Sequence, residues 1–466
     1  MKKILLSITL VFIVGLGMAN NIVVSSATLS NQNITADTEV INFSVTWDNG
    51  WRTSINESNY DGAWIFVKFR KMGTTDWRHC TINTSGFIPA AGAAFSVPTD
   101  GKGAFIYRSA DGIGTVNYAG NQLVWNYGVD GILDNETVEV RVFALEMVYI
   151  PSGSFTLGTG GTEVNTFYTA PTTTAPYLVS NNNAITAGVA AGNLNAAGNM
   201  LAGTIPATFP KGFTAFWIMK YECSQQQMVD FLNHLDAARA LVNLPVGITG
   251  THPAYIAPFP ERGMGSLGFN RNTALADWSG LRPYSEMEFE KASRGFNTPP
   301  VPNEYVWGNT TIIPLITVTN VGAANETVAT PVNANANIVG SYSTTTPVRT
   351  GLFARTTGSD RTLSGGTYYG VMNMSDNLYD FVINSGTTQG RAILETVHGD
   401  GNLNAGGQTD IVTWQAYQAF GFRGSYFNGP LLEGRTSERT NASFFSSYPG
   451  DNNANYSGSR LARTAP

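Results

Sequence analysis

The chain has 466 residues, 42% of them hydrophobic and 11% aromatic. That is enough apolar material to bury a real core, and it argues against a disordered chain. Only 13% of residues are charged and the net charge is −6, a balance that speaks against nucleic acid or an anionic membrane surface as partner. Such a length implies two domains, and abundant Gly, Asn and Thr suit an extracellular, strand- and loop-rich protein.

Taken in order, Met1-Lys-Lys3, the apolar run Ile4–Leu16 and Gly17-Met18-Ala19 predict a cleaved export signal over residues 1–19. The run is too short for a stable membrane span and no second one follows, so export without membrane insertion is expected. No Cys stands at the cut, so no lipid anchor is expected either. Only Cys80 and Cys223 occur. One disulfide is conceivable, but lone buried thiols are the plainer reading.

Residues 20–145 read as strands. Val40–Trp47 and Ala63–Phe69 alternate with period two, turn clusters such as Asp48-Asn-Gly50 separate them, and Val138–Phe143 closes the set. The spacing predicts an antiparallel β-sandwich of immunoglobulin or fibronectin type. Asp61, Asp76, Arg78 and His79 read as solvated turn residues.

A second domain, of α+β type, is predicted over 146–466. Residues 157–208 are nearly uncharged and read as a long surface excursion. Ser224 with Gln227, and Ser285 with Glu288, form capping boxes that start helices near 224–236 and 285–294. Pro283 blocks an earlier start of the second helix and Gly295 stops it. His234 reads as a satisfied partner beside an apolar helix face, and the scattered histidines offer no metal spacing. Arg282, Glu286, Glu290 and Arg294 recur every fourth residue. With Glu288, they place so many charges in one short segment of a charge-poor chain that a buried ionic knot is predicted.

The segment 282–295 resembles the hallmark of the formylglycine-generating, or sulfatase-modifying, enzyme family. Further blocks extend the resemblance over roughly 146–466: Met147–Phe155, Phe216–Glu222, Trp307-Gly-Asn309, Gly370–Phe381 and Arg423-Gly-Ser-Tyr426. It implies an irregular C-type-lectin-like fold with Trp307 and Arg423 as structural anchors. The string Trp47-Asp-Asn-Gly-Trp-Arg52 is similar to leader domains that precede such domains in secreted Bacteroidetes-type proteins. The resemblance also implies calcium. Asp376–Phe381 matches one family calcium motif, with Asn377 and Asp380 as oxygen donors, and Ala336-Asn337-Ile338 is similar to a second. The alternative is that these are plain hydrogen-bonded turns.

Catalytic members of the family bind copper between two cysteines that follow the Arg-Gly-Gly-Ser strand. Here no cysteine follows Cys223, so no copper and no catalytic residue are expected. Residues 426–459 are rich in Tyr, Asn and Ser, a palette that suits adaptable binding. They are similar to the variable region of retroelement-diversified lectin-like proteins. Tyr426, Asn428, Arg435, Arg439, Asn441, Tyr448, Asn453 and Tyr456 are the candidate ligand-binding residues there; a polar terminus without a ligand is the alternative. No Gly-x-Ser-x-Gly elbow or phosphate loop is present. The sequence therefore leads to a secreted, non-catalytic surface protein that assembles with itself or with other surface components. An adhesin using 426–459 and a divergent metal-dependent oxidase are the alternatives.

Overall fold

The computed structural model describes residues 21–466 except Ser26, Glu57, Asn199, Asn297, 355–359 and 444–453. The export signal, Tyr448 and Asn453 therefore lie outside the described residues. The class is strand-rich and mixed, dominated by one large sheet.

The N-terminal half contributes β1 (Thr38–Arg52), β2 (Tyr60–Lys71), β3 (Ala104–Arg108), β4 (Gly112–Asn126) and β5 (Val138–Ile150). Period-two alternation decides their faces. Ile41, Phe43, Val45 and Trp47 of β1 join Ala63, Ile65, Val67 and Phe69 of β2, with Ile106 of β3 and Leu123 and Trp125 of β4, in one buried cluster. The other face of β2 carries Trp64 and Phe66, which belong to a different core shared with Met147, Trp217 and Phe231. A strand buried on both faces makes β2 a wall common to both halves.

From β5 the sheet continues through β6 (Phe216–Met219), β10 (Leu461–Thr464), β7 (Arg282–Ser285), β8 (Asp380–Ile383) and β9 (Phe420–Arg423). Neighbours pair antiparallel, except that β7 and β8 run parallel with Tyr284 opposite Val382. The last strand of the chain thus lies between two strands that precede it. The boundary expected near Glu146 falls inside β5, which pairs with β2 over Tyr60–Lys71 and with β6 over Phe216–Met219. No Gly or Pro interrupts 138–150, so a strand begun in one half has nothing to end it before Pro151.

The two capped helices form as the sequence predicts: α1 (Gln225–Asn233) after Ser224 and α4 (Glu286–Arg294) after Ser285, both with complete capping boxes. Between them α2 (Ala237–Asn243) and α3 (Phe269–Trp278) were not foreseen. In α3 nine of ten residues are buried, so no amphipathic period marks it. The excursion 157–208 is not a bare loop. Its segments Phe167–Thr169, Leu194–Ala196, Ile185–Ala187 and Gly203–Ile205 pair in a small sheet, and Phe167, Ile185, Leu194 and Ile205 are buried.

Candidate functional site

The knot predicted around α4 is present and every member is buried. Arg282 forks onto Glu288 at 2.8 and 2.6 Å, while Glu288 also caps the Ser285 N–H at 2.9 Å. Arg439 donates to Glu286 at 2.7 and 2.9 Å. Arg423 lies 3.4 Å from Glu286 and 3.0 Å from Glu290. Arg294 pairs with Glu290 at 3.2 Å and Glu304 at 2.5 Å. Burial alone would raise the Glu286 carboxyl, but Arg439 and then Arg423 hold it below its ordinary value. Arg282 lies on β7, ahead of the helix, and meets Glu288. One expectation is corrected. Arg439, expected in the ligand patch, is wholly buried, because Glu286 needs a second guanidinium. Trp307 anchors its loop from inside, stacked on Tyr305 at 5.0 Å and donating to Thr311 O at 2.8 Å.

A second polar group surrounds Asn377, at the edge of β8. The Asn377 Oδ1 accepts from Val348 N at 2.8 Å and Asn337 Nδ2 at 3.0 Å, and its Nδ2 donates to Glu222 at 2.5 Å. Asp376 accepts from Asn337 N at 2.6 Å. Asp380 Oδ1 accepts from Arg460 Nε at 3.0 Å. Glu222, Asp376 and Asp380 are all buried, with Arg460 the one guanidinium paired among them. Burial pushes Asp376 up to about 7 and Glu222 well above the carboxylate range, and it raises Asp380 despite Arg460. Asn337 Oδ1 and Asp380 Oδ2 have no hydrogen-bond partner; the Tyr284 hydroxyl lies beside Asp380 but outside bonding geometry. Asn337 Oδ1 and Asp380 Oδ2 are thus hard oxygen donors left unengaged in a group of excess negative charge, the donor type that suits calcium. Glu222, Asp376 and Asp380 do not, however, converge as Asp277, Asp400 and Asp410 do. The Asn377 oxygen, expected as a ligand, is already taken by two N–H donors.

The candidate ligand patch divides. Tyr426 and Tyr456 are half-buried and pack on each other at 4.7 Å and on Tyr379 at 5.0 and 5.7 Å. Asn441 donates to the Tyr379 hydroxyl at 3.1 Å, and that hydroxyl donates to Glu433. Asn428 is exposed. Arg435, half-buried, donates to Asn303 at 2.9 Å.

Sequence reasoning missed the seam between the halves. Lys220 lies 3.0 Å from Asp61 and 3.1 Å from Glu146, with its ammonium 4.9 Å from the Trp51 ring centre. Asp61 also accepts from the Trp47 indole at 3.0 Å and from Trp51 N at 2.8 Å. Far from a solvated turn residue, Asp61 is wholly buried, and His79 is nearly so. The Trp47–Arg52 string is therefore a clasp onto the C-terminal half. Further along the seam, Asp277, Asp400 and Asp410 bring carboxylate oxygens within 4.8 Å of one another. The alternation Asp400-x-Asn402-x-Asn404 is the signal that marks this loop in the sequence. Asp277 accepts from Asp400 N, Asp410 N and the Thr409 hydroxyl.

Cys80 and Cys223 are free and buried in separate cores, and burial pushes the Cys223 thiol up to about 12. Among the described residues no helix is long and apolar enough to cross a membrane. No protein-family model matches the chain, and no curated protein matches it.

Proposed function

We propose that this is a secreted, non-catalytic surface protein whose copies assemble with one another. The observation that carries the reading is the surface of the two long, low-charge regions. From 157–208 protrude Leu178, Val189 and Leu201, and from 310–350 protrude Ile316, Val321 and Val332, all more than half exposed. Single exposed apolar side chains are ordinary; seven more than half exposed among the described residues of two charge-poor excursions, Val164 being the other, suit burial against another subunit. The charge-balanced knot supports a scaffold role, and the resemblance to sulfatase-modifying enzymes supplies a matching scaffold without their thiolate pair. What supports the sandwich reading of 20–145 is the buried cluster to which β1, β2, β3 and β4 all contribute.

Calcium belongs to the same reading. Asp376, Asp380 and Asn337 would hold the ion through oxygen, with Asn377 positioning Asn337, and it would neutralise the excess of buried carboxylates.

Sedimentation and negative-stain imaging of the mature chain test the assembly. Ordered oligomers or polymers are expected, and replacing Val189, Val321 and Val332 together by Lys should leave a folded monomer. A wild-type chain that stays monomeric at high concentration yet binds a surface ligand through Tyr426 and Tyr456 would instead make it an adhesin, a reading the half-exposed tyrosine pair favours.

A further inference from the structure

Where the turn after β2 meets α2 and the loop beyond Asp400, the two halves leave a cleft of ≈190 Å³. We propose that this cleft binds a small hydroxylated ring carrying a carboxylate, such as a uronic acid unit of an acidic polysaccharide.

Its walls combine Trp77 and Trp278 with the polar side chains of Asp76, Arg78, Arg239 and Asn402. Arg78 is exposed and makes no ion pair among the described residues; its guanidinium rests 5.3 Å from the Phe69 ring centre. A free guanidinium fork at the lip of a cleft is matched to a carboxylate, which it can take through two parallel N–H bonds. Arg239, which also lines the cleft, is held in place by Asn404 O at 3.0 Å and Asp236 at 3.3 Å. Arg239 is already paired with Asp236, and Asp277 and Asp400 lie behind the floor, so the charge left for a carboxylate is that of the Arg78 fork at the lip. Asp76 and Asn402 add an acceptor and a mixed amide, the complement of ring hydroxyls.

The floor is built rather than loose. Lys68, wholly buried, donates to Gly401 O at 2.9 Å and sits 5.0 Å from the Trp278 ring centre. Gly401 N bonds Asp277 O at 3.0 Å, and Asp400 N bonds Asp277 Oδ1 at 3.1 Å. A floor fixed in advance lowers the ordering cost of binding. One face of Trp278 is covered by Lys68, and Arg70 lies 4.8 Å from the Trp77 ring centre. The indoles therefore serve as apolar walls, which limits the ligand to a single ring.

The test is calorimetric titration of the full chain with D-glucuronate, D-glucose and acetate. Saturable glucuronate binding is expected, with glucose and acetate each weaker by about tenfold or more, the loss that follows from removing one hydrogen bond to a charged group. Arg78→Ala should weaken glucuronate by about tenfold while the melting temperature holds, since Arg78 is an exposed side chain. Asn402→Ala, also on the surface, should weaken glucuronate and leave acetate unchanged. Equal binding of acetate would reduce the cleft to an anion site, equal binding of glucose would remove the carboxylate, and no saturable heat with glucuronate would overturn the proposal. None of these outcomes depends on whether the chain assembles.

Discussion

Around α4 four buried glutamates, 286, 288, 290 and 304, meet four arginines, 282, 294, 423 and 439. Around Asn377 three buried carboxylates meet, among the described residues, Arg460 alone. Both groups are interior and both are tied to the same sheet, yet they differ in charge balance. A balanced group neutralises its own charge and serves the fold. An unbalanced one must take up protons or a cation, and its state then depends on the medium. Balance, rather than burial, separates a structural knot from a candidate site.

The sharpest way to break the comparison is to unbalance the knot. Arg439→Met leaves Glu286 with one distant guanidinium, Arg423 at 3.4 Å. Removing one partner of a buried pair costs about 3–5 kcal/mol, and urea unfolding should show a loss of that size. A loss below about 1 kcal/mol would mean that the carboxylate is rescued and the balance is dispensable.

The knot was legible because its signals are local: a capping box, a four-residue repeat of charge, and Gly295 as a stop. What escaped was set by distance along the chain. Asp61 looks like a turn residue beside Gly62 until β6 brings Lys220 across 159 positions. Nothing between 138 and 150 announces that β5 leaves one half and enters the other, since both neighbours bury it. Arg439 sits among Ser, Thr and Asn that suggest a surface, and only the fold turns it inward to Glu286. The motif around Asn377 did not show that its side-chain oxygen is saturated, because the donors come from the distant Asn337 and Val348.

The unbalanced group can be examined through Asp376→Asn. Burial raises the Asp376 carboxyl to about 7, above its unfolded value. A raised carboxyl contributes stability that is complete below the unfolded value, near 4, and is lost as pH rises through about 7. Asparagine has no such dependence. Without metal, the variant should therefore gain on the wild type between pH 5 and 8, by about 2–4 kcal/mol at most. Any constant cost of the new amide cancels in that difference. Calcium should reverse the sign at pH 8, where the wild type alone offers a full carboxylate, and chelation should then lower only the wild-type melting temperature. A difference flat with pH and indifferent to calcium would make the cluster as inert as the knot.

The smallest expected effect compares the two helix starts. In α1 the Ser224 hydroxyl accepts from Gln227 N at 3.2 Å while Gln227 returns to Ser224 N at 3.0 Å. Ser224→Ala should cost about 1 kcal/mol, the usual value of an N-cap. In α4 the Ser285 hydroxyl accepts from Glu288 N at 3.0 Å and also donates to Pro210 O at 2.5 Å. Its partner Glu288 carries the Arg282 fork as well. Ser285→Ala thus removes the cap, leaves the Pro210 carbonyl without that donor, and loosens the carboxylate that neutralises Arg282. It should cost measurably more than Ser224→Ala in the same denaturation series. Equal losses would show that the box of α4 works as an isolated cap, and that the knot draws nothing from the helix start it is built on.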